Sequence, residues 1–477
     1  MAKIVVIGAG FAGHTAALYL GSALGCRHDV TVINKFDYFG YVPSWVWVGV
    51  GHMSPEKTTF PLEPVYDRMH VRLAQGTATE VHPDDQYVVA GKQDGTGDFR
   101  VDYDYLIIAT GPRLNFSATP GLGPDSGYTE SLCTRDHAVR TRDAFLEVVE
   151  RLKRGERQRI VVGTGHPGAT CEGAAFEYIA NLHQDLVRRG VRDRADLVYL
   201  SNERALGDFG VRGLSIRRKG RTVTSEEFMT AVFEEFDIAW EVQKGVTKIE
   251  KGVIHWEDFE GRFGETRFDF AMLIPQFAGA RIVYTGRDGE DVADKIVNKA
   301  GFVLVDSQYG LPYETLVKTP DVWPAVYQNP NYDNIFAAGI AFAPPGPISM
   351  PHTTPNGTSI SAAPPRTGMV SGIIGRVVAK NIIDLVQQGR MTHQGRMSEM
   401  AAACIASLGD SLWRGSAATI MMYPVVPDVD RYPNDEGRDK FVTHMEMGLA
   451  GAWMKRMIHT TFMDKLCGYP GWKFIPE

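Results

Sequence analysis

The chain has 477 residues, 44% hydrophobic and 22% charged, which is long enough for about three domain-sized units and belongs with globular rather than disordered chains. A formal net charge of -7 gives no electrostatic reason to expect nucleic acid as a partner. The five cysteines (Cys26, Cys133, Cys171, Cys404 and Cys467) are odd in number and irregularly spaced, so they are no disulfide framework, and without a C-x-x-C pair no metal is expected.

Residues 3–13, KIVVIGAGFAG, organise the rest. An apolar, β-branched run feeds into Gly8, Gly10 and Gly13, spaced G-x-G-x-x-G, and an Ala-rich helix follows from about Phe11. Gly8 permits a tight turn, Gly10 lets backbone approach a pyrophosphate, and Gly13 lets the helix pack on the strand with its first amides facing phosphate. With a second strand at 30–33 the unit reads as βαβ. Asn34 stands where an acid would hold a ribose hydroxyl; its carbonyl oxygen can still accept a hydrogen bond. The fingerprint strand begins at residue 3, so no cleaved signal peptide is expected, and no apolar run is long enough to span a bilayer. Residues 38–50, YFGYVPSWVWVGV, form a rigid, partly apolar wall around Pro43. Strands are expected near 71–74 and 87–90. Residues 101–113, VDYDYLIIATGPR, read as a buried strand ending in a tight turn at Thr110 and Gly111, and they resemble the second FAD signature of two-dinucleotide flavoproteins.

A helix over 137–153 leads to a second formal G-x-G-x-x-G at Gly163, Gly165 and Gly168. Pro167 removes one amide a pyrophosphate would use, and the next strand, 197–200, does not end cleanly in an acid, so this half has the Rossmann shape with a doubtful nicotinamide site. Strands follow at 268–274 and at 334–339, the latter ending in Gly339. Residues 341–365, dense in Pro, Gly, Ser and Thr, form a long ordered loop or a lid, and a helix covers 367–386. In 441–466 the apolar residues Met445, Leu449, Trp453, Met457, Ile458, Phe462 and Leu466 recur mostly at three- and four-residue spacing among Lys455, Arg456 and Lys465. That pattern is an amphipathic helix, which packs on the core or lies on a membrane surface.

These segments together are similar to the sulfide:quinone oxidoreductases of the two-dinucleotide flavoprotein superfamily. The resemblance spans nearly the whole chain: GAGFAG, YFGYVPSWVWVGVG, YDYLIIATGP, CTRDH at 133–137, GATCEGAAFEY at 168–178, NIFAAGIAFAPP at 334–345 and PPRTGM at 364–369. It implies FAD on the first βαβ unit, touched by Gly8, Gly10, Phe11, Ala12, Gly13, Asn34, Lys35, Pro43, Thr110, Gly111, Gly339, Arg366 and Thr367. It further implies sulfide as donor, a membrane quinone as acceptor, and peripheral attachment to a membrane surface, with a homo-oligomer left open. Cys171 is similar to the family cysteine that carries a persulfide beside the flavin; a cysteine in a glycine-flanked strand-to-helix turn can also have its thiolate stabilised by helix amides. Cys133 resembles the outer cysteine, which in some members is tethered to the flavin. Its other reading is a free surface thiol. His137 and Glu177 are candidate proton carriers, or else ordinary solvated or core-paired side chains.

Three departures stand out. The family's second catalytic cysteine is Ala341 here, a family acid-base histidine is Asp208, and the family's flavin-side lysine is Arg366, which keeps charge but not shape. Either the chain works with Cys171 and Cys133, or position 341 has been changed from its natural residue, or sulfide is not the donor. The alternatives are a type II NADH:quinone oxidoreductase and a non-catalytic flavin-binding paralogue. The expected architecture is α/β: an FAD-binding Rossmann-like domain from residues 1–115 and 301–385, a second Rossmann-like domain over 116–300, and a C-terminal amphipathic helical, membrane-attaching region over 386–477.

Overall fold

Two parallel sheets carry the chain. A computed structural model describes it except for residues 219, 366, 410–412, 414, 424, 426–429, 434–436, 440 and 441 and the side chain of residue 26. The first sheet runs in the order Ile335–Ala337, Tyr105–Ile108, Lys3–Ile7, Asp29–Asn34, Arg72–Gln75, every pair parallel. Strands covered on both faces need apolar side chains at every position, which is why 4–7 and 106–108 read as unbroken apolar runs; all are buried. The helices Phe11–Leu24 and Gly368–Gln388 touch closely here, since a Cβ on Gly375 would come within 2.2 Å of the Ala12 carbonyl oxygen.

The second sheet, Ile238–Glu241, Ala195–Leu200, Gln158–Thr164 and Phe270–Ile274, is also parallel. It lies between the fourth and fifth strands of the first sheet in sequence. The chain therefore leaves the first sheet after Ile108 and returns to pair Ile335–Ala337 beside Tyr105–Ile108. The segment after Ala341 includes a short ribbon, His352–Thr353 against Ser359–Ile360.

The C-terminal region differs from the expected run of helix. Ala402–Leu408, Ser416–Met422 and His444–Gly448 form an antiparallel sheet. The helix expected over 441–466 starts only at Leu449 and ends at Leu466; Phe441 lies outside the described residues. Around Met445 the period is two, with Met445 buried between exposed His444 and Glu446, so pairing with Ser416–Met422 satisfies this stretch as a strand. The tail helix buries Gly451, Ala452, Lys455, Lys465 and Leu466, while Trp453, Met454 and Met457 stand 50%, 37% and 58% exposed. Among the described residues no helix is long and apolar enough to cross a membrane.

Candidate functional site

The fingerprint loop is shaped by contacts that exclude side chains where the chain touches itself. Gly8 has φ +102°, and a Cβ there would lie 2.4 Å from the Ala109 carbonyl oxygen, while one on Gly13 would lie 2.0 Å from the Gly8 carbonyl oxygen. Gly10 is the opposite case. Its φ of -75° suits any residue, and its Cβ would meet no protein atom within 4 Å. The glycine at this position thus clears a space in front of the helix Phe11–Leu24, whose start has no side-chain cap and whose first amides lack intrahelical acceptors. An uncapped helix end facing a cleared space fits a pyrophosphate.

Asn34, Gly339 and Gly368 touch this loop or its helix. Asn34 accepts from the Ala9 amide at 2.9 Å and donates to the Phe36 carbonyl at 2.7 Å, so an amide holds two loops where a carboxylate could hold only the first. Lys35, next in sequence, sets its ammonium over the Phe36 ring at 5.3 Å. Gly111, at φ +66°, leaves open space beside Thr110. Gly339 presses on Ala12, Thr367 caps the helix Gly368–Gln388 through the Val370 amide, and Gly368 lies under the Phe11 ring. Pro43 sits in the turn Val42–Ser44, from which the Ser44 hydroxyl reaches His459 of the tail helix at 2.8 Å. Arg366 lies outside the described residues.

The second glycine loop is closed. Ser361 and Ala363 donate backbone hydrogen bonds to the Pro167 and Ala169 carbonyls at 2.9 and 3.0 Å. The buried Asn202 amide donates to Pro167, Ala169 and Ser361, and the His166 ring takes the Gly168 amide at 2.9 Å. The Gly168 amide, a donor that a nicotinamide pyrophosphate would use, is thereby spent on His166, as is the Ala169 amide on the His166 carbonyl at 3.1 Å.

Cys171 stands at the end of this loop as N-cap of the helix Glu172–Arg188, half-buried and in the left-handed region at φ 70°, ψ 34°. For a non-glycine residue that conformation costs about 1–3 kcal/mol, strain that collects at functional sites. Cys133 is also half-buried, its amide on the Ser131 hydroxyl at 3.2 Å, and burial pushes its thiol up to about 11. His137, in the first turn of Arg135–Lys153, has its Nε2 3.8 Å from Asp125, while its buried Nδ1 has no partner; burial holds the ring below its ordinary value. Leu132, next to Cys133, and Tyr178, next to Glu177, converge on Gly49 of the aromatic wall, where the Tyr178 hydroxyl donates to the Gly49 carbonyl at 3.2 Å.

Glu177 is buried among the Ser407 amide at 3.0 Å, the Ser407 hydroxyl at 2.5 Å and the Lys455 ammonium at 3.1 Å. Cys404 lies beside this group and 3.6 Å from a Cβ built on Gly173; burial, then the nearby Glu177, pushes its thiol up to about 11. Sequence reasoning missed Lys455 and Ser407 as partners of Glu177, and missed Asn202 and Glu172. Only Glu172 carried a visible signal, a charged residue wedged between Cys171 and Gly173 at a strand-to-helix turn.

The profile of the pyridine nucleotide-disulphide oxidoreductase family matches residues 2–309. The sulfide-quinone reductase of Aquifex aeolicus (strain VF5) is 29% identical over 439 residues, 92% of this chain and 87% of that protein. The X-ray structure of the sulfide:quinone oxidoreductase from Aquifex aeolicus superposes with a TM-score of 0.77 at 26% identity, covering 99% of this chain and 94% of that one. NDH2 from Plasmodium falciparum shares the fold at a TM-score of 0.59 and 13% identity, covering 87% of this chain and 89% of that one. The resemblance to sulfide:quinone oxidoreductases drawn from the motifs is borne out along almost the whole length. The chain belongs to the pyridine nucleotide-disulphide oxidoreductase family and is an α/β flavoprotein oxidoreductase whose cofactor is FAD.

Proposed function

We propose that this flavoprotein oxidises sulfide to zero-valent sulfur or polysulfide and passes the electrons to a membrane quinone, with Cys171 as the sulfur carrier. The observation that carries this reading is the second glycine loop. Its Pro167 and Ala169 carbonyls are bound by Ser361, Ala363 and Asn202, and Cys171 holds the N-cap position of the helix behind it without a side-chain capping bond. That cover weighs against the NADH:quinone reading, which needs the same loop open to a pyrophosphate. Similarity to a sulfide-quinone reductase over 92% of the chain supports the donor and the acceptor.

When bound, FAD supplies a two-electron acceptor that can reduce a quinone in turn. Cys171 sits at the positive end of the helix Glu172–Arg188, so its amides favour an anionic sulfur there. Hydrosulfide attacks an oxidised sulfur. Ala341 is buried and carries no thiol, so that sulfur is a persulfide on Cys171 or a link through Cys133, whose neutral thiol makes it the slower partner. His137 and Glu177 are proposed to move the protons that sulfide oxidation sheds. The free Nδ1 of His137 and the chain from Glu177 through the Ser407 hydroxyl and Lys455 support those roles.

A quinone dissolved in lipid requires the protein to lie on the bilayer. The exposed Trp453, Met454 and Met457 supply an apolar face, with Arg456 beside them for the headgroups. Anaerobic additions watched by flavin absorbance test the whole reading. Sulfide should bleach the flavin, Cys171→Ser should abolish that bleaching with FAD still bound, and Ala341→Cys should speed it. Bleaching by NADH but not sulfide would establish the rival reading, and bleaching by neither the non-catalytic one.

A further inference from the structure

The strand Arg113–Asn115 follows the turn at Thr110 and Gly111 and pairs antiparallel with Gln276–Ala278, so that Asn115 stands directly opposite Gln276. Arg113, two residues from Asn115, shares that face of the ribbon. A chain of hydrogen bonds fixes which way each amide points. A guanidinium has only donors, so Arg113 Nη1, 2.9 Å from Asn115, holds the Asn115 oxygen toward itself. The Asn115 nitrogen then donates to the Gln276 oxygen at 3.1 Å, which leaves Gln276 Nε2 with both protons and no protein acceptor among the described residues.

That nitrogen faces the second glycine loop. A Cβ on Gly168 would stand 3.7 Å from Gln276 Nε2 and 3.7 Å from His166 Nδ1, ordinary contact distances, so the two line a small space in front of Gly168. Gly168 is not in the left-handed region, and its missing side chain therefore answers to that space rather than to the backbone. The ribbon face is positive. Arg113 Nε is enclosed without a partner, and among the described residues neither Arg113 nor Arg281 has a carboxylate within ion-pair distance. Burial, then the like charge of Arg281, holds Arg113 below the ordinary guanidinium value. His166 takes the Gly168 amide on Nδ1 and burial lowers the ring, so it lines the space as a neutral group.

We propose that Arg113 and Gln276 hold the incoming hydrosulfide anion in this space, beside the loop that ends in Cys171. Arg113 supplies the positive charge and sets the Gln276 amide, and Gln276 Nε2 donates to the sulfur. The inference rests on the sulfide reading. Gly168 and Cys171 are three residues apart, a span of at most about 11 Å. The Ala169 amide on the His166 carbonyl at 3.1 Å, and the Thr170 hydroxyl on the Ala363 and Pro364 carbonyls at 3.0 and 2.9 Å, fix the loop between them. A one-sulfur anion suits a space that a methyl group would fill. No bond forms or breaks here; the subsite gathers the anion for its attack on the oxidised sulfur.

Two measurements test this. Gln276→Glu keeps the size of the side chain and an oxygen for Asn115 but turns the free donor into a carboxylate. In stopped-flow reduction of the FAD-loaded enzyme it should raise the half-saturating sulfide concentration about tenfold or more, with a smaller change in the saturating rate. Arg113→Gln should act in the same direction, and Arg113→Lys should recover part of the loss because it keeps the charge. The second measurement needs no turnover. In proton–nitrogen spectra of the glutamine side-chain amides of FAD-loaded Cys171→Ser, the signal pair that vanishes on adding Gln276→Glu should shift with sodium hydrosulfide, and Gly168→Ala, which fills the space at ordinary contact distance, should remove that shift. A Gln276 amide that hydrosulfide leaves unmoved would overturn the subsite, as would an unchanged half-saturation in Gln276→Glu or a fall in its saturating rate alone. A wild type that sulfide does not bleach would overturn the sulfide reading instead, and the amide spectrum still decides the subsite.

Discussion

Gly10 and Gly13 are both fingerprint glycines, but the structure assigns them different work, and a pair of substitutions separates cofactor binding from folding. A side chain at Gly10 meets no protein atom within 4 Å and needs no change from φ -75°. Gly10→Val should therefore cost the flavin-free protein no more than about 1 kcal/mol, the scale of a changed helix N-cap. The methyl groups would instead occupy the cleared space before the helix. Overpacking of a close contact costs about 1–3 kcal/mol, which corresponds to roughly 5- to 150-fold weaker FAD binding. Gly13→Ala should behave in reverse. Its Cβ would sit 2.0 Å from the Gly8 carbonyl oxygen and 3.0 Å from the Ala109 Cβ, so helix and strand must separate and the flavin-free protein itself should lose about 3 kcal/mol or more. Fluorimetric FAD titration of the stripped proteins, beside their urea unfolding curves, reads both effects. A Gly10→Val protein that binds FAD like the wild type, or that unfolds as readily as Gly13→Ala, would refute the reasoning.

Other perturbations probe the remaining parts. Cys133, with its thiol near 11, should react with iodoacetamide about tenfold faster per pH unit from 7 to 10, with a thiolate fraction of roughly one in ten thousand at pH 7; quantitative peptide mass spectrometry checks this, and fast alkylation at pH 7 would contradict it. Trp453→Asp combined with Met457→Asp should release the protein from phosphatidylcholine vesicles in a flotation assay without loss of fold, because both side chains are more exposed than buried or close to it, at 50% and 58%. His14 is buried between the Tyr66 hydroxyl at 3.1 Å and the Leu466 carbonyl at 2.7 Å, and burial lowers it from 6.5 to about 4. The unfolded chain binds that proton more tightly, so stability is complete above about pH 6.5 and falls by about 3 kcal/mol on reaching pH 4; urea midpoints against pH should show a flatter slope in His14→Gln.

What could be read from the sequence was what neighbouring residues decide among themselves. The first glycine loop was legible because strand, turn and helix lie within a dozen residues and each glycine answers to a contact inside that unit. The damage to the second loop showed in Pro167, but its cover did not, since Ser361 reaches back to Pro167 from almost two hundred residues later. Which way the tail helix faces was hidden for the same reason. A helical pattern of large apolar residues with lysines between them predicts lysines outward, because an unpaired buried ammonium is costly. Here Lys455 finds Glu177, 278 residues away, and Lys465 finds Glu477, so both go inward and the pairing cost of burial is met. The helix must then turn another face out, and that face carries Trp453, Met454 and Met457. An aqueous surface gives such a face nothing, whereas a bilayer interface accepts it. The buried lysines and the exposed apolar face are thus one feature: acids on the core side set which way the helix turns, and the turn creates the surface proposed to meet the lipid.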